Sequence, residues 1–423
     1  MTSQATSERL NWLERWGAIA PLLLAEFFVW VGFGALLPVL PIYFTSHGVD
    51  LATLGLVIAA WPAARLVGEP AFGWLADRTR RVPLMVAGLV LAGVFTMLPL
   101  ALTGPLAFIV LRAATGLSTA IYDPAARGYL TDATPPERRG EAFGLYGAAQ
   151  MGGLLLGPAI GAIGADRFGG IGFVFVFGGL AAFLAAIPIA LRSHETGSRT
   201  HAALPPDGTE FPPDSPSTAR RAATALALDR ASAADVPMRL LNRGLVAALV
   251  LNVGGNFAAG TYEVIWSLFL QRLGAGLGLI GLTFAMFGLP ILLLSPMAGR
   301  LVDRGGSFAF IVAGSILPAI TGFLYTRLVD PSLAIPLILV EATGFALLNP
   351  ALYAVVAANS PPGRSSTAQG LFGAAGTVGF IVASLVAGVL AGIDILYPLY
   401  VFSAVMIASL VLGLMIGGRR LRR

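Results

Sequence analysis

Apolar residues run along this chain in long stretches separated by short polar breaks. The stretches fall at 17–45, 52–75, 82–103, 105–129, 142–165, 170–191, 244–271, 278–301, 307–328, 332–357, 366–391 and 394–417. A helix needs roughly 20 apolar residues to cross a bilayer, and each stretch is about that long or longer. Backbone polar groups in lipid must find internal partners, so the stretches predict helices. The short alternating segments of a membrane β-barrel do not occur. The first stretch is too long for a cleavable signal peptide and is not followed by a small-residue cleavage pattern. The expected fold is an all-α membrane protein with twelve transmembrane helices.

The halves repeat. Gly73-Trp74-Leu75-Ala76-Asp77-Arg78 returns 226 positions later as Gly299-Arg300-Leu301-Val302-Asp303-Arg304. The same offset pairs Asp123-Pro124-Ala125 with Asn349-Pro350-Ala351, and Gly147-Ala148-Ala149 with Gly373-Ala374-Ala375. It also pairs Pro135-Pro136-Glu137-Arg138 with Pro361-Pro362-Gly363-Arg364. The pattern predicts two pseudo-symmetric six-helix bundles, over 1–192 and 243–423, with a binding site where they meet. Residues 193–242 between them are rich in Pro, Ser, Asp and Arg and read as a polar linker. A short amphipathic helix over Ala219–Ala234 could lie at the membrane surface.

Charge then gives orientation. With both termini inside, 22 arginines fall on the inner side and three, Arg167, Arg272 and Arg327, on the outer. That bias predicts cytoplasmic termini in a cell (inner) membrane and makes the linker cytoplasmic. The formal net charge of +5 is thus a topology signal. No basic face of a soluble domain suggests nucleic-acid binding.

Composition removes several chemistries. All 27 basic residues are Arg and there is no Cys. A phosphate-binding loop needing Lys, a Schiff-base lysine, thiolate metal sites and thiol catalysis are therefore excluded. His47, His194 and His201 lie outside the apolar stretches. No cofactor, metal or enzymatic activity is expected.

Four motifs resemble those of the major facilitator superfamily, in particular its twelve-span drug–proton antiporters. Gly73-x-Leu75-Ala76-Asp77-Arg78-x-x-Arg81 is similar to the family's loop between spans two and three, although Arg80 stands where the family usually has Gly. The resemblance implies a cytoplasmic gate. Gly73 would allow close helix approach, Asp77 would face the positive N-terminus of span eleven, and Arg78 or Arg81 would pair with Asp123. Asp303 and Arg304 would do the same in the second half. Arg112-x-x-x-Gly116 in span four resembles the family's intramembrane arginine motif, linked there to proton coupling. Gly153-x-x-x-Gly157-Pro158-x-x-Gly161 in span five resembles its antiporter motif, implying a bent, glycine-lined helix seam. Gly32-x5-Pro38-Val39-x-Pro41 resembles a motif of the drug antiporters and predicts a break at the outer end of span one.

In this superfamily spans one, four, seven and ten line the cavity. The intramembrane polar residues fall mainly on those spans: Glu26, Arg112, then Asn252, Asn256 and Glu263, then Glu341 and Asn349. Buried ionisable groups in a membrane are functional candidates by default. Glu26, Arg112 and Glu341 are the expected proton-coupling residues, with Glu26 the preferred carrier. Trp30, Tyr122, Trp266 and Tyr353, with Asn252, Asn256 and Glu263, are the expected substrate-cavity residues. Arg65 and Glu69, one turn apart, read as a structural pair. The expected activity is proton-coupled export of apolar, cationic or amphipathic small molecules by a monomer in contact with membrane lipids. The alternatives are a lipid or glycolipid translocase or a nutrient importer of the same fold and, more distantly, a non-transporting scaffold or receptor.

Overall fold

The computed structural model describes residues 15–135, 138–168, 170–193, 240–361 and 364–421. Most of the linker, with the helix expected at Ala219–Ala234, lies outside them. The described chain folds as helices α1 (Ala20–Leu36), α2 (Leu40–Ser46), α3 (Leu51–Ala76), α4 (Arg81–Met97), α5 (Pro105–Asp132), α6 (Arg139–Arg167) and α7 (Gly172–Arg192) in the first half. The second half holds α8 (Arg243–Arg272), α9 (Leu277–Gly305), α10 (Phe308–Tyr325), α11 (Ala334–Asn359), α12 (Ser365–Ala391) and α13 (Tyr397–Gly417). Eleven of these are long and apolar enough to cross a membrane, and α1 with α2 makes a twelfth span bent by 46°. The bend falls at Pro38 and Pro41, as the sequence predicts: neither proline can donate a helical hydrogen bond.

Polar side chains close several helix ends. Asp50 accepts from the Thr53 amide and hydroxyl at 2.9 and 2.6 Å, starting α3. Asn242 accepts from the amides of Gly244 and Leu245, starting α8. Such contacts satisfy amide groups that have no partner within their own helix.

The helices pack as two bundles. In the first, α1 lies against α6 and α7, and α5 against α3 and α4; in the second, α8 lies against α12 and α13, and α11 against α9 and α10. The bundles meet chiefly through α3 with α12 and α6 with α9. The ends of the bundles differ. One face carries Arg15 and Gly417 and is called here the terminal face. At the opposite face a single apolar cluster joins both bundles, from Phe44, Leu54 and Phe175 to Val264, Leu270 and Leu399. Toward the terminal face each bundle has its own cluster, one around Tyr122, Tyr129 and Tyr146 and one around Leu245, Leu352 and Met406. The interface is thus closed at the opposite face and parted toward the terminal one.

Candidate functional site

The parted interface holds a cavity of about 590 Å³. The first bundle lines it with Trp30, Phe33 and Leu37, with Trp61, and with α6 from Met151 to Pro158. The second lines it from α8, α9 and α11, including Tyr262, Trp266, Phe284 and Phe345. The wall is mostly apolar and aromatic, and its polar groups come from few positions. Asn252 donates to the Phe372 carbonyl at 2.6 Å, and Asn256 donates to the carbonyl and side-chain oxygens of Asn252 at 3.0 Å each. The Trp266 indole donates to Thr283 at 2.9 Å, fixing α8 to α9. Asn252, Asn256, Glu263, Trp266 and Trp30 all lie on the wall of this cavity.

Glu341 is also on this wall. Its carboxyl group accepts hydrogen bonds from the Tyr262 and Tyr325 hydroxyls, both at 2.7 Å. Among the described residues no arginine pairs with it. It is an acidic group held by two neutral donors at the edge of an apolar cavity.

Arg112 and Glu263 form a buried ion pair at 2.9 Å, joining α5 of one bundle to α8 of the other. Arg112 therefore does not sit beside Glu26. Glu26 is fully buried within the first bundle, accepting from the Tyr146 hydroxyl and, at 3.0 Å each, from Gln150 and the Trp30 indole. It does not line the cavity; Trp30 stands between. Two expected wall residues lie elsewhere. Tyr122 is buried inside the first bundle and lines a smaller cavity there. Tyr353 is 55% exposed and packs against Phe372, outside the main cavity. Both sit one side of their helix away from the wall: Tyr122 faces α4, through Gly88, rather than the second bundle.

At the terminal face the expected gate is arranged differently. Asp123 is paired with Arg65 at 2.5 Å, and Arg65 also holds Glu69 at 2.5 Å. Arg127 lies 3.8 Å from both acids, so the pair foreseen at Arg65 and Glu69 is part of a four-residue cluster. Arg81 pairs instead with Asp132 at 2.6 Å. The reason is length: Arg81 opens α4 level with the end of α5, and Asp123 lies nine residues, or ~13 Å of helix, deeper. Arg78 turns back over the Trp74 ring at 4.1 Å. The Asp77 side chain is 75% exposed, with Arg81 at 3.8 Å. Asp303 and Arg304 are exposed at the end of α9. At Gly73 a Cβ would meet Pro124 at 3.7 Å, and at its repeat partner Gly299 it would meet Pro350 at 3.9 Å, ordinary contact distances that do not by themselves require glycine.

The glycines of span five form a seam, but within the first bundle. A Cβ at Gly153, Gly157 or Gly161 would come within 2.5 Å of the carbonyls of Phe27, Val31 and Ala35 on α1. Of the motif's four residues Pro158 is the one that reaches the interface, where its carbonyl meets Gly281 of α9.

The sequence profile of the Major Facilitator Superfamily matches residues 22–262 and 245–422, nearly the whole chain. The chain belongs to that superfamily. A transporter of this family moves small molecules across a membrane that it crosses many times, and it is not an enzyme. The chain is 24% identical over 392 residues to an uncharacterized MFS-type transporter of Methanocaldococcus jannaschii, covering 92% of this chain and 95% of that one. It is 28% identical over 162 residues to the quinolone resistance protein NorA of Staphylococcus aureus, covering 38% of this chain and 42% of that protein. Among solved structures, a bacterial homologue of the human lysosomal transporter Spinster, inward-facing and occupied, matches with a TM-score of 0.70 at 15% identity, over 96% of both chains. The peptide transporter POT in complex with alafosfalin matches with a TM-score of 0.71 at 16% identity, over 97% of this chain and 95% of that one. These structural likenesses bear on the fold alone.

For this superfamily member, sequence reasoning missed the partners of its buried charges. Tyr146 and Gln150, one turn apart on α6, hold Glu26, and Tyr325 on α10 shares Glu341. Tyr146 and Gln150 have helical spacing and a common face, a signal that could have marked them. Nothing in the sequence singles out Tyr325, or Glu263 as the partner of Arg112.

Proposed function

We propose that this protein is a proton-coupled exporter of apolar, cationic or amphipathic small molecules, working by alternating access between two bundles at 1–192 and 243–423. The observation that carries the reading is Glu341: an acid with no basic partner among the described residues, set in the wall of a large aromatic cavity. Such a group can hold either a proton or a cationic cargo, and competition between the two links their movements. Each ligand then shifts the conformational balance by its difference in affinity for the two states. The similarity to NorA over part of the chain favours quinolone-like cargo.

The arginine bias supports a cytoplasmic terminal face, with both chain ends and the 193–242 linker on that side of an inner membrane. On that assignment the present conformation is inward-open. The gate residues Gly73, Asp77, Arg78, Arg81, Asp303 and Arg304 are apart from the other bundle here and would engage it when the terminal face closes. Glu26 is the second proton site, reached from the cavity through Trp30, and the Arg112–Glu263 pair is the charge contact that must be remade in each cycle.

The test is purified protein in liposomes with an imposed pH gradient, a pH-sensitive dye inside, and a panel of quinolones, lipophilic cations, sugars and labelled lipids. Substrate-dependent proton movement with the amphipathic cations is the expected result. Movement of sugars or lipids, or no coupled proton flux with any member, overturns the reading.

A further inference from the structure

A second cavity of about 90 Å³ lies inside the first bundle, apart from the main one. Trp30, Phe33 and Trp61 line both cavities and form the partition between them. The Trp61 ring carries guanidinium groups of Arg65 and Arg112 at 4.8 and 5.8 Å. The cross-bundle ion pair sits at this partition: Arg112 lines the small cavity and Glu263 the large one.

Arg65, Thr96 and Asp123 contribute polar groups to the small cavity, and four more follow one helix. Arg112, Thr115, Thr119 and Tyr122 follow each other on a single face of α5 and all line it. Thr115 and Thr119 donate to carbonyls of their own helix at 2.9 and 2.8 Å, which leaves their lone pairs free to accept. The guanidinium donates to Glu263 through Nη2, while its Nε is buried without an acceptor. The Tyr122 hydroxyl is buried beside the Glu26 carboxyl without a well-formed hydrogen bond to it. A buried guanidinium N–H that lacks a partner needs one, and water is the usual answer. At ~30 Å³ per molecule the space takes roughly three waters.

We propose that the small cavity is a hydration chamber for Arg112, holding ordered water between its Nε and the hydroxyls of Thr115, Thr119 and Tyr122. Its role follows from where the pair lies. When the bundles rock, Arg112 and Glu263 separate, and a buried charge that loses its partner is strongly destabilised. Glu263 already faces the large cavity and its water. Arg112 has no such access through its own bundle except by this chamber. Water held there keeps the guanidinium solvated while the pair is open, so the pair can break and re-form within a transport cycle. The proposal needs neither proton coupling nor a particular cargo.

Radiolytic hydroxyl labelling of the full-length protein in lipid nanodiscs, read by mass spectrometry, tests it. Radicals generated from trapped water label the side chains that water touches, even when bulk solvent does not reach them. Tyr122 is 1% exposed and Tyr129 2%, so bulk access predicts equal, slow labelling of both. A water-filled chamber predicts labelling of Tyr122 severalfold faster than that of Tyr129. Equal rates overturn the proposal. Ala92→Leu, which fills the chamber from α4, should return Tyr122 to the Tyr129 rate; unchanged fast labelling would mean that the water lies elsewhere, and also overturns it. Thr119→Val keeps the side-chain shape while removing a hydroxyl, and should lower Tyr122 labelling in a protein whose thermal unfolding matches the parent.

Discussion

Gly55 and Gly281 stand 226 positions apart and make the same contact on opposite sides of the molecule. A Cβ on Gly55 would come within 2.5 Å of the Ser384 carbonyl, beside Gly388; one on Gly281 would come within 2.7 Å of the Pro158 carbonyl, beside Ala162. Pro158 and Ser384 are themselves repeat partners, as are Ala162 and Gly388. The closed face is thus held by two copies of one close approach, α3 on α12 and α9 on α6. Gly55→Val or Gly281→Val must wedge these helices apart, at a cost of ~1–3 kcal/mol for overpacking. Because the contact exists only while this face is closed, the cost falls on that state and the balance moves toward the other by roughly 5- to 150-fold. The chain has no cysteine, so Leu37→Cys on the cavity wall gives a single labelling site. Impermeant maleimide added from the opposite face should modify it faster in either valine variant. Equal rates would mean that these glycines do not set the closure.

That relationship also marks how far the sequence could be read. The offset of 226 was visible in Asp77 and Asp303, and the twelve apolar stretches match the helices to within a few residues, because lipid allows few alternatives to a helix. The Pro38 and Pro41 break was legible for the same reason. The partners of the charged groups were not, since they depend on helix rotation and depth. Arg81 reaches Asp132 rather than Asp123 because of where α4 begins, and Arg112 reaches across to Glu263 because of how the bundles meet. Repeat arithmetic maps Glu26 onto Asn252, yet only Asn252 lines the central cavity. The two halves share a backbone plan and differ in the chemistry placed on it.

The Arg112–Glu263 pair should behave as a coupled unit. Both side chains are more than nine-tenths buried, so Arg112→Met or Glu263→Met alone leaves a charge without its partner and should cost ~3–5 kcal/mol. The double variant Arg112→Met with Glu263→Met removes both charges and should recover most of that loss. Thermal or denaturant unfolding of the four proteins in detergent gives the interaction energy as a double-mutant cycle. Additive losses would show that the two groups act independently. Transport should be abolished in all three variants, including the stable double one, if the pair is part of the cycle rather than of the scaffold.

Asp50 provides a pH-dependent contribution outside the membrane. Hydrogen bonds from the Thr53 hydroxyl and amide hold its carboxyl group below the usual aspartate range. The folded chain therefore binds fewer protons at this site than the unfolded one. The cap is complete above the ordinary aspartate value and is lost as pH falls through the lowered, folded value. Amide exchange in the first turn of α3, corrected for intrinsic rates, should rise as pH falls below the ordinary aspartate value of about 4. Asp50→Asn keeps an acceptor but cannot titrate, and should flatten that rise. A slope unchanged by the substitution would assign the effect to another group.

Glu341 is the residue on which the proposed exchange of proton for cargo turns. Glu341→Gln replaces the acid by a neutral group of the same shape; its amide oxygen can accept from one of Tyr262 and Tyr325 while its NH2 donates to the hydroxyl oxygen of the other, so the fold and cavity should persist. What the variant cannot do is exchange a proton for a cation. Uphill movement of a cationic probe driven by a pH gradient should fall by ~5- to 150-fold, the range of ordinary coupling energies. Binding of a neutral probe, followed by tryptophan quenching in the Trp30 and Trp266 cavity, should change little. If the Glu341→Gln protein still concentrates the cation against its gradient, Glu341 is not the exchanging group and Glu26, behind Trp30, becomes the next to replace. If the neutral probe is lost as well, the substitution has damaged the cavity, and Tyr262→Phe, which removes one donor and leaves the acid, is the cleaner variant: it should weaken coupling while sparing neutral-probe binding.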